Sequence, residues 1–255
     1  MTALNESNAL IIGGSSGIGL AIAAGFRQAG ARVAIAGRRQ NKVEAAVQQL
    51  NAATGVDAPP ASGFTADVTD LEAIKRLGRS FAERLGPLDS LVTCQGTTML
   101  QPAGEFSEGD YDHLMDTNLK SVFFACTHLA APMLERGRGT VITIASLAAH
   151  RGWPNAAVYA MTKHGVLGLT RTLAVEWAPR GVRINSISPG VFLTELNRKR
   201  MSSERAARLR DHTPLGRFGE TSELVGAAVF LASDASSYVT GADLVVDGGY
   251  LASGI

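Results

Sequence analysis

The stretch of sequence that decides the fold is residues 9–36, ALIIGGSSGIGLAIAAGFRQAGARVAIA. It opens with an apolar run at 9–12, passes through a glycine-rich turn and a helical pattern, and closes with a second apolar run at 32–36. Gly30 stands where glycine commonly follows the last residue of a helix. A strand, a helix and a second strand in this order predict two parallel strands joined by a helical crossover.

The same alternation continues to the end of the chain. Strands are predicted at 9–12, 32–36, 64–66, 88–94, 140–145, 182–188 and 243–246, and helices are predicted to start near 17, 41, 70, 108, 157 and 222. The spacings from Thr69 to Glu72 and from Ser107 to Asp110 are typical of capping boxes. We expect residues 1–255 to form one doubly wound, Rossmann-type α/β domain, with helices on both faces of a seven-stranded parallel sheet.

One segment, residues 192–219, breaks the alternation. It is polar and rich in arginine, and a long segment of this kind is more often a binding loop or lid than core. Between 197 and 210 it has one acid, Glu204, and six cations: Arg198, Lys199, Arg200, Arg205, Arg208 and Arg210. Two interpretations stay open: the cations form a solvated helix face, or some line a pocket mouth and favour an anionic substrate.

Composition excludes several classes of protein. Of 255 residues, 45% are hydrophobic and 18% charged, which is the balance of a compact globular enzyme. Lys plus Arg is 24 and Asp plus Glu is 23, so we expect neither a nucleic-acid nor a membrane partner. Cys94 and Cys126 lack the spacing of a metal site, and the polar start of the chain does not resemble a secretion signal. These features predict a cytoplasmic protein without a metal.

The glycine-rich turn predicts a dinucleotide site. Glycines allow a sharp turn and a close approach of the main chain to a pyrophosphate, which then lies at the positive end of the following helix. The residues expected to form this site are Gly13, Ser15, Ser16, Gly17, Ile18 and Gly19. A purely structural turn is the alternative, and the strands on both sides argue against it.

Arg38 and Arg39 predict which dinucleotide binds. About 20 residues beyond the turn, an enzyme that uses NAD has an acid that binds the ribose 2′-hydroxyl. This sequence has Gly37, Arg38 and Arg39 there, and two guanidinium groups suit a 2′-phosphate. We therefore expect NADP(H); the alternative is a pair of solvated arginines at the start of a helix.

Tyr159 and Lys163 predict acid–base chemistry. They are four residues apart in a predicted helix, so both lie on one face. An ammonium group that close favours the phenolate, which allows the phenol to exchange a proton near neutral pH. Ser146 follows the strand predicted at 140–145 and therefore lies at the carboxyl edge of the sheet, where open α/β folds bind ligands.

These motifs resemble the short-chain dehydrogenase/reductase family over nearly the whole chain. The resemblance rests on Gly13-x-x-x-Gly17-x-Gly19, on Ser146 and on Tyr159-x-x-x-Lys163. It implies a catalytic tetrad of Asn118, Ser146, Tyr159 and Lys163, with a water held by Asn118 behind the lysine. It also implies adenine contacts from Asp67 and Val68, and a contact of Lys163 with the nicotinamide ribose. The further cofactor contacts that it implies come from Gln95, Gly96, Tyr159, Pro189, Gly190, Val191 and Thr194.

Two departures from the family pattern affect the cofactor side. Ile12 stands where relatives usually have threonine, and Thr93-Cys94-Gln95-Gly96 replaces Asn-Asn-Ala-Gly. In the family these polar side chains tie the first strand to the fourth and line the adenosine side of the cofactor. The departures therefore put strand anchoring and cofactor affinity in doubt, while the proton chemistry is expected to survive.

The resemblance implies an NADP(H)-dependent oxidoreductase that interconverts a ketone and a secondary alcohol. We expect a small polar or anionic carbonyl substrate such as a sugar acid, as in gluconate 5-dehydrogenases. The pocket is expected to take residues from 192–213 and from His150, Arg151, Trp153, Gln95 and Thr97, although His150 also fits an exposed loop histidine.

Two alternatives stay open. One is a 3-oxoacyl-acyl-carrier-protein reductase, which needs a basic docking patch such as Arg136, Arg138 and Arg180. The other is a non-catalytic module that senses NADP(H), and the intact tetrad argues against it.

The apolar surface of two helices predicts an oligomer. The helices expected at 108–134 and 158–178 have more apolar residues than one sheet face covers, including Phe123, Phe124, Met161, Leu169 and Trp177. Relatives bury such surfaces by pairing these helices, which implies a homotetramer.

Overall fold

A single parallel sheet organises the chain. The computed structural model describes residues 4–53, 55, 58–192 and 202–253, and its seven strands have the order β3-β2-β1-β4-β5-β6-β7. They are β1 Asn8–Ile12, β2 Arg32–Gly37, β3 Ser62–Thr65, β4 Ser90–Thr93, β5 Gly139–Ile144, β6 Val182–Pro189 and β7 Asp243–Val246. The predicted doubly wound fold is confirmed, with β3 lying earlier than the predicted 64–66.

Nine α-helices lie in the described part of the chain. They are α1 Gly17–Gln28, α2 Gln40–Ala52, α3 Leu71–Leu85, α4 Glu108–Met115, α5 Ser121–Leu129, α6 Ala131–Arg136, α7 Ala157–Trp177, α8 Ser203–Asp211 and α9 Val225–Ala232. No helix among these residues is long and apolar enough to cross a membrane.

The predicted helix ends are confirmed at two positions and wrong at one. Gly30 follows the C-cap of α1 with φ +93°, a conformation that favours glycine. Ser107 caps α4 by accepting a hydrogen bond from the backbone N–H of Asp110. The capping box expected from Thr69 does not form, because Asp70 is the N-cap of α3 and Thr69 bonds to Asp67 instead.

The helix predicted over 108–134 is interrupted. A π-helical turn, Asp116–Lys120, separates α4 from α5, and α6 starts after Ala130 with Pro132 in its first turn. Proline lacks an N–H donor and fits only the start of a helix, which explains the break.

Two apolar layers cover the two faces of the sheet. Alternation along β1 sends Leu10 and Ile12 into the layer that packs against α3, α5 and α7, and Ala9 and Ile11 into the layer that packs against α1, α2 and α9. Ile12 is fully buried, and its carbonyl oxygen accepts a hydrogen bond from the backbone N–H of Cys94 at 2.9 Å. A backbone bond therefore ties β1 to the residue after β4, although the Ile12 side chain cannot form a hydrogen bond.

The two ends of the segment 192–219 lie next to each other. Phe192 and Gly219 form an isolated parallel bridge, and the N–H of Gly219 donates to the carbonyl of Val191 at 3.0 Å. A side chain at Gly219 would collide with the Phe192 ring, so the absence of one permits this approach. The bridge holds α8 beside the carboxyl edge of the sheet, where β5 and β6 end.

Candidate active site

A cleft of about 170 Å³ lies at the carboxyl edge of the sheet. The residues that line it are Thr98, Leu100, Ser146, Leu147, Ala148, Trp153, Ala156, Tyr159, Pro189, Gly190, Val191, Arg205 and Leu209. Ser146 and Tyr159 therefore share one cavity with three residues predicted to bind the cofactor.

Ser146 is held at the end of β5. It starts a short 3₁₀ turn, Leu147–Ala149, and its Oγ accepts a hydrogen bond from the backbone N–H of Ala148 at 3.2 Å. Capping the turn fixes the position of the oxygen, and the hydroxyl proton stays available to donate to another group.

Lys163 lies behind Tyr159 on α7. Its Nζ is 5.8 Å from the centroid of the Tyr159 ring and donates a hydrogen bond to the carbonyl of Ile144 at 2.8 Å. The ammonium group is buried, so its charge acts on the phenol with little screening by water. Within the described residues the Tyr159 hydroxyl has no hydrogen-bond partner, which leaves it available to a ligand in the cleft.

Asn118, the fourth residue of the implied tetrad, bonds through its side chain to the backbone of Thr97. It lies in the π-helical turn and is fully buried. Its Oδ1 accepts from the N–H of Thr97, and its Nδ2 donates to the carbonyl of Thr97, both at 2.8 Å. A Cβ built on Gly96 would lie 3.4 Å from Asn118 Oδ1 and 3.8 Å from Lys163 Nζ, so the two side chains meet beside this glycine. Asn118 thus holds the chain after β4 next to the lysine.

Both cysteine thiols have a raised pKa. Burial raises the pKa of the Cys94 thiol to about 12, even though the nearby Lys163 ammonium lowers it, and burial also raises the pKa of Cys126 to about 12. Both thiols therefore stay protonated near neutral pH and are poor nucleophiles. No cluster of three or more metal-ligating side chains occurs in the ranges described.

The glycine-rich turn fits a dinucleotide phosphate. Gly13 has φ +77°, and a Cβ there would lie 2.8 Å from the backbone of Cys94. A Cβ on Gly19 would collide with the Gly13 carbonyl, so both positions need glycine. Ser16 is the exposed N-cap of α1, and its hydroxyl caps no backbone N–H. The N-terminus of α1 therefore keeps its donors for an anion.

Arg38 and Arg39 lie between β2 and α2. Both are exposed at the start of α2, and neither forms an ion pair with any described residue. Unpaired guanidinium groups at this point fit a 2′-phosphate. Val68 is buried, and the Asp67 carboxylate accepts hydrogen bonds from Thr69.

The Gln95 side chain, an expected cofactor contact, bonds to α5. Its Nε2 donates to Ser121 Oγ on α5 at 3.2 Å, and that hydroxyl donates to the carbonyl of Thr117. The side chain therefore joins the chain after β4 to α5. Thr194, another expected cofactor contact, lies outside the described residues.

The expected pocket residues are confirmed only in part. Trp153 lines the cleft, whereas His150, Arg151, Gln95 and Thr97 do not. His150 turns away because its Nε2 lies 2.7 Å from Asp243 Oδ2 and 3.2 Å from Ser188 Oγ. Sequence reasoning missed Thr98 and Leu100, whose positions follow from loop geometry and carry no local signal, whereas Arg205 and Leu209 come from the expected segment 192–213.

The arginines of 192–219 have separate environments. Arg205 lines the cleft and has no ion-pair partner among the residues described. Arg208 lies 3.6 Å from Glu204, and the Arg210 guanidinium lies 5.9 Å from the Phe218 ring centroid. Arg198, Lys199 and Arg200 lie outside the described residues.

The fold and the site together define a dinucleotide-dependent oxidoreductase of the α/β class. The family model described as Enoyl-(Acyl carrier protein) reductase matches residues 13–251, and the chain belongs to the short-chain dehydrogenase/reductase family. The resemblance inferred from the motifs is therefore confirmed.

Individual relatives act on several related compounds. The chain is 41% identical over 247 residues to D-threitol dehydrogenase of Mycolicibacterium smegmatis, covering 97% of this chain and 94% of that protein. It is 39% identical over 251 residues to gluconate 5-dehydrogenase of Gluconobacter oxydans, covering 98% and 96%. A solved gluconate 5-dehydrogenase from Burkholderia cenocepacia, in complex with NADP and tartrate, is 36% identical, with a TM-score of 0.93 and coverage of 99% and 98%.

Proposed function

We propose that the chain interconverts a ketone and a secondary alcohol with NADP(H). The observation that carries this proposal is that Ser146 and Tyr159 line one cleft while Lys163 lies directly behind the phenol. A hydroxyl donor, a proton donor and a buried cation are the groups that the reduction of a carbonyl requires.

Each of these side chains has a distinct role in the proposed reaction. The nicotinamide, when bound, supplies the hydride for reduction or accepts it for oxidation. Ser146 donates a hydrogen bond to the carbonyl oxygen, and Tyr159 gives that oxygen its proton. Lys163 stabilises the phenolate that remains, and Asn118 keeps the chain after β4 beside the lysine. In the oxidation direction the phenolate takes the proton back.

The preference for NADP(H) rests on the exposed, unpaired Arg38 and Arg39. The pyrophosphate would lie against Gly13, Ser15, Ser16, Gly17, Ile18 and Gly19, with the adenine near Asp67 and Val68. Pro189, Gly190 and Val191 are proposed to border the nicotinamide, with Lys163 on its ribose and Gly96 as a further cofactor contact. The solved relative that was crystallised with NADP supports this choice.

The substrate is proposed to be a small polar carbonyl compound with an anionic group, such as a sugar acid. Arg205 lines the cleft without an ion-pair partner in the described residues, and a carboxylate would neutralise it. Relatives named for gluconate, and the tartrate bound to the solved one, support this class. That residues 192–219 form a lid over the substrate stays a prediction.

The carrier-protein alternative has weaker support. Arg136 donates to the Leu88 carbonyl at 2.6 Å and lies 3.3 Å from Asp89, and Arg138 lies 3.7 Å from the same carboxylate. Two of the three arginines of the expected docking patch therefore face an acid of this chain. The sensing-module alternative gives no reason for a buried lysine beside Tyr159.

We also propose the homotetramer that the sequence predicts. Phe123 is 42% exposed, Met161 50% and Val175 78%, which leaves apolar surface on α5 and α7. The prediction is wrong for Trp177, which is buried in the core. Light scattering at micromolar protein should give a mass well above the 26.7 kDa of one chain, and a monomer would contradict the proposal.

The experiment that tests the proposed reaction is a panel of carbonyl substrates assayed with NADPH. It should contain sugar keto acids, the matching neutral ketoses and an acetoacetyl thioester, with turnover followed through the absorbance of the reduced nicotinamide. We expect the keto acids to react fastest. Preference for the thioester would favour the carrier-protein alternative, and no turnover of any carbonyl would favour the sensing module.

A further inference from the structure

Three neighbouring rings lie beside the cleft and have no role in the proton chemistry. Trp153 lines the cleft, and its ring stacks on Tyr250 with centroids 5.8 Å apart and planes 20° apart. The ring of His212 lies 6.3 Å from Tyr250 with planes 33° apart. Tyr250 thus contacts one aromatic ring that follows the Ser146 turn and another that follows α8.

Tyr250 belongs to a short segment, residues 247–253, which we call the C-terminal turn. Asp247 fixes its shape by accepting hydrogen bonds from the N–H groups of Gly249 at 2.8 Å and Leu251 at 2.7 Å. A Cβ on Gly190 would lie only 2.6 Å from Asp247 Cα, and the Gly190 N–H donates to the Val246 carbonyl at 2.8 Å. The C-terminal turn is therefore anchored against the floor of the cleft.

The same turn also contacts the segment after α8. The N–H of Leu215 donates to the Gly248 carbonyl, and the Ser253 hydroxyl donates to the His212 carbonyl, both at 3.2 Å. Arg205 and Leu209, which line the cleft, are on α8 itself. The C-terminal turn thus connects the Trp153 side of the cleft with the α8 side.

We propose that Tyr250 is a positioning residue that sets substrate affinity by holding Trp153 and the end of α8 in place around the cleft. The inference rests on the proposed function and concerns the substrate alone. The Trp153 ring offers a flat apolar surface to the C–H groups of a polyhydroxylated carbon chain, while Arg205 offers a charge to a carboxylate. Tyr250 does not line the cleft, so it acts through Trp153.

The kinetic test compares Tyr250→Ala, Tyr250→Leu and Tyr250→Phe. An aromatic pair contributes about 0.5–1.5 kcal/mol beyond buried area, so Ala and Leu should raise KM for the keto acid about threefold to tenfold. Because no hydrogen bond or ring contact joins Tyr250 to Ser146, Tyr159 or Lys163 in the described residues, kcat and the KM for NADPH should change less than about twofold. Phe keeps the ring and should restore the wild-type KM. Tyr238→Ala is the matched control, since Tyr238 is fully exposed.

A second readout does not depend on turnover. The chain has two tryptophans, so Trp177→Phe leaves Trp153 as the sole indole emitter. In that background Tyr250→Ala and Tyr250→Leu should shift the emission of the cofactor-free protein to longer wavelength and raise acrylamide quenching about twofold, because the indole loses the ring that covers it. Tyr250→Phe and Tyr238→Ala should leave both quantities unchanged.

The two readouts separate the possible failures. Unchanged Trp153 emission and an unchanged KM in both the Ala and the Leu variants would overturn the proposal. Equal losses of kcat, substrate affinity and NADPH affinity would also overturn it, since they indicate a general structural role. If wild-type protein turns over no carbonyl, the proposed function fails, and the emission of Trp153 still decides whether Tyr250 holds the indole.

Discussion

The cofactor side and the substrate side of the carboxyl edge are built in different ways. On the cofactor side, the glycine-rich turn and both arginines lie between positions 13 and 39, in one strand–helix–strand unit. On the substrate side, Thr98, Trp153 and Arg205 come from three separate connections, and the C-terminal turn supports them from behind. Short-range geometry therefore fixes the first site, and long-range packing fixes the second.

This difference shows why one scaffold serves related oxidoreductases. The groups proposed for proton transfer lie at the end of β5 and on α7. Both of these elements pack in the core of the fold. The substrate side depends on connections whose sequence can change without disturbing the sheet. Relatives named for threitol and for gluconate are consistent with a constant proton-transfer site and a variable substrate side.

The largest expected effect is at Tyr159, in the site of proton transfer between the cofactor side and the substrate side. Tyr159→Phe removes the proposed proton donor and should lower kcat by about 10²–10⁴. The ring and its contact with Lys163 remain, so the unfolding temperature and the NADPH dissociation constant should stay close to those of the wild type. Stopped-flow or steady-state assays with the best keto acid measure the change. Retained turnover would place the proton source elsewhere.

The second effect tests the cofactor side alone. Arg38→Ala should reduce the preference for NADPH over NADH by about tenfold or more in kcat/KM, because a charge-assisted hydrogen bond contributes about 1.5–3 kcal/mol. The loss should fall on NADPH and leave NADH nearly unchanged. Arg32→Ala is the control, since Arg32 is exposed at the opposite end of β2. Equal use of the two cofactors by the wild-type protein would contradict the assignment.

The same division explains how far the sequence predicts the structure. Periodicity and glycine spacing predict all seven strands and place Ser146 at the carboxyl edge, because these depend on local geometry. That Ser146 meets Tyr159 and Lys163 is implied by the family resemblance, and the cleft contains Ser146 and Tyr159. For His150 the sequence leaves a pocket contact and an exposed loop histidine open, and the structure shows an exposed residue whose ring is held by Asp243, 93 positions away. The break near Ala130 was missed, although Pro132 was a visible signal.

The third effect tests the substrate side. Arg205→Met keeps the length of the side chain and removes its charge, and it should lower kcat/KM for a keto acid about tenfold, or about 1.4 kcal/mol, relative to its neutral ester. In the wild type that advantage should shrink between 0.01 and 0.5 M salt, as the Debye length falls from about 30 Å to a few Å. Arg208→Met is the control, because Arg208 pairs with Glu204 outside the cleft. A neutral ester that reacts as fast as the acid, without salt dependence, would make the chain a general carbonyl reductase.

The smallest expected effect is at Gln95, where the family resemblance and the observed hydrogen bonds indicate different roles. The family has alanine here, and the resemblance implies that this residue lines the cofactor, yet its Nε2 donates to Ser121 and its buried Oε1 has no partner among the described residues. Gln95→Ala loses a hydrogen bond that contributes about 1 kcal/mol but also removes an unsatisfied acceptor that costs about 1–3 kcal/mol. The two nearly cancel, so the unfolding temperature should move by no more than about 2–4 °C and the KM for NADPH by less than about twofold. Ser121→Ala is the matched variant: it leaves the Gln95 amide without its partner and should destabilise the protein more than Gln95→Ala does. A tenfold rise in the KM for NADPH in Gln95→Ala would show that the side chain reaches the cofactor, so the two sides of the edge would then meet at this residue.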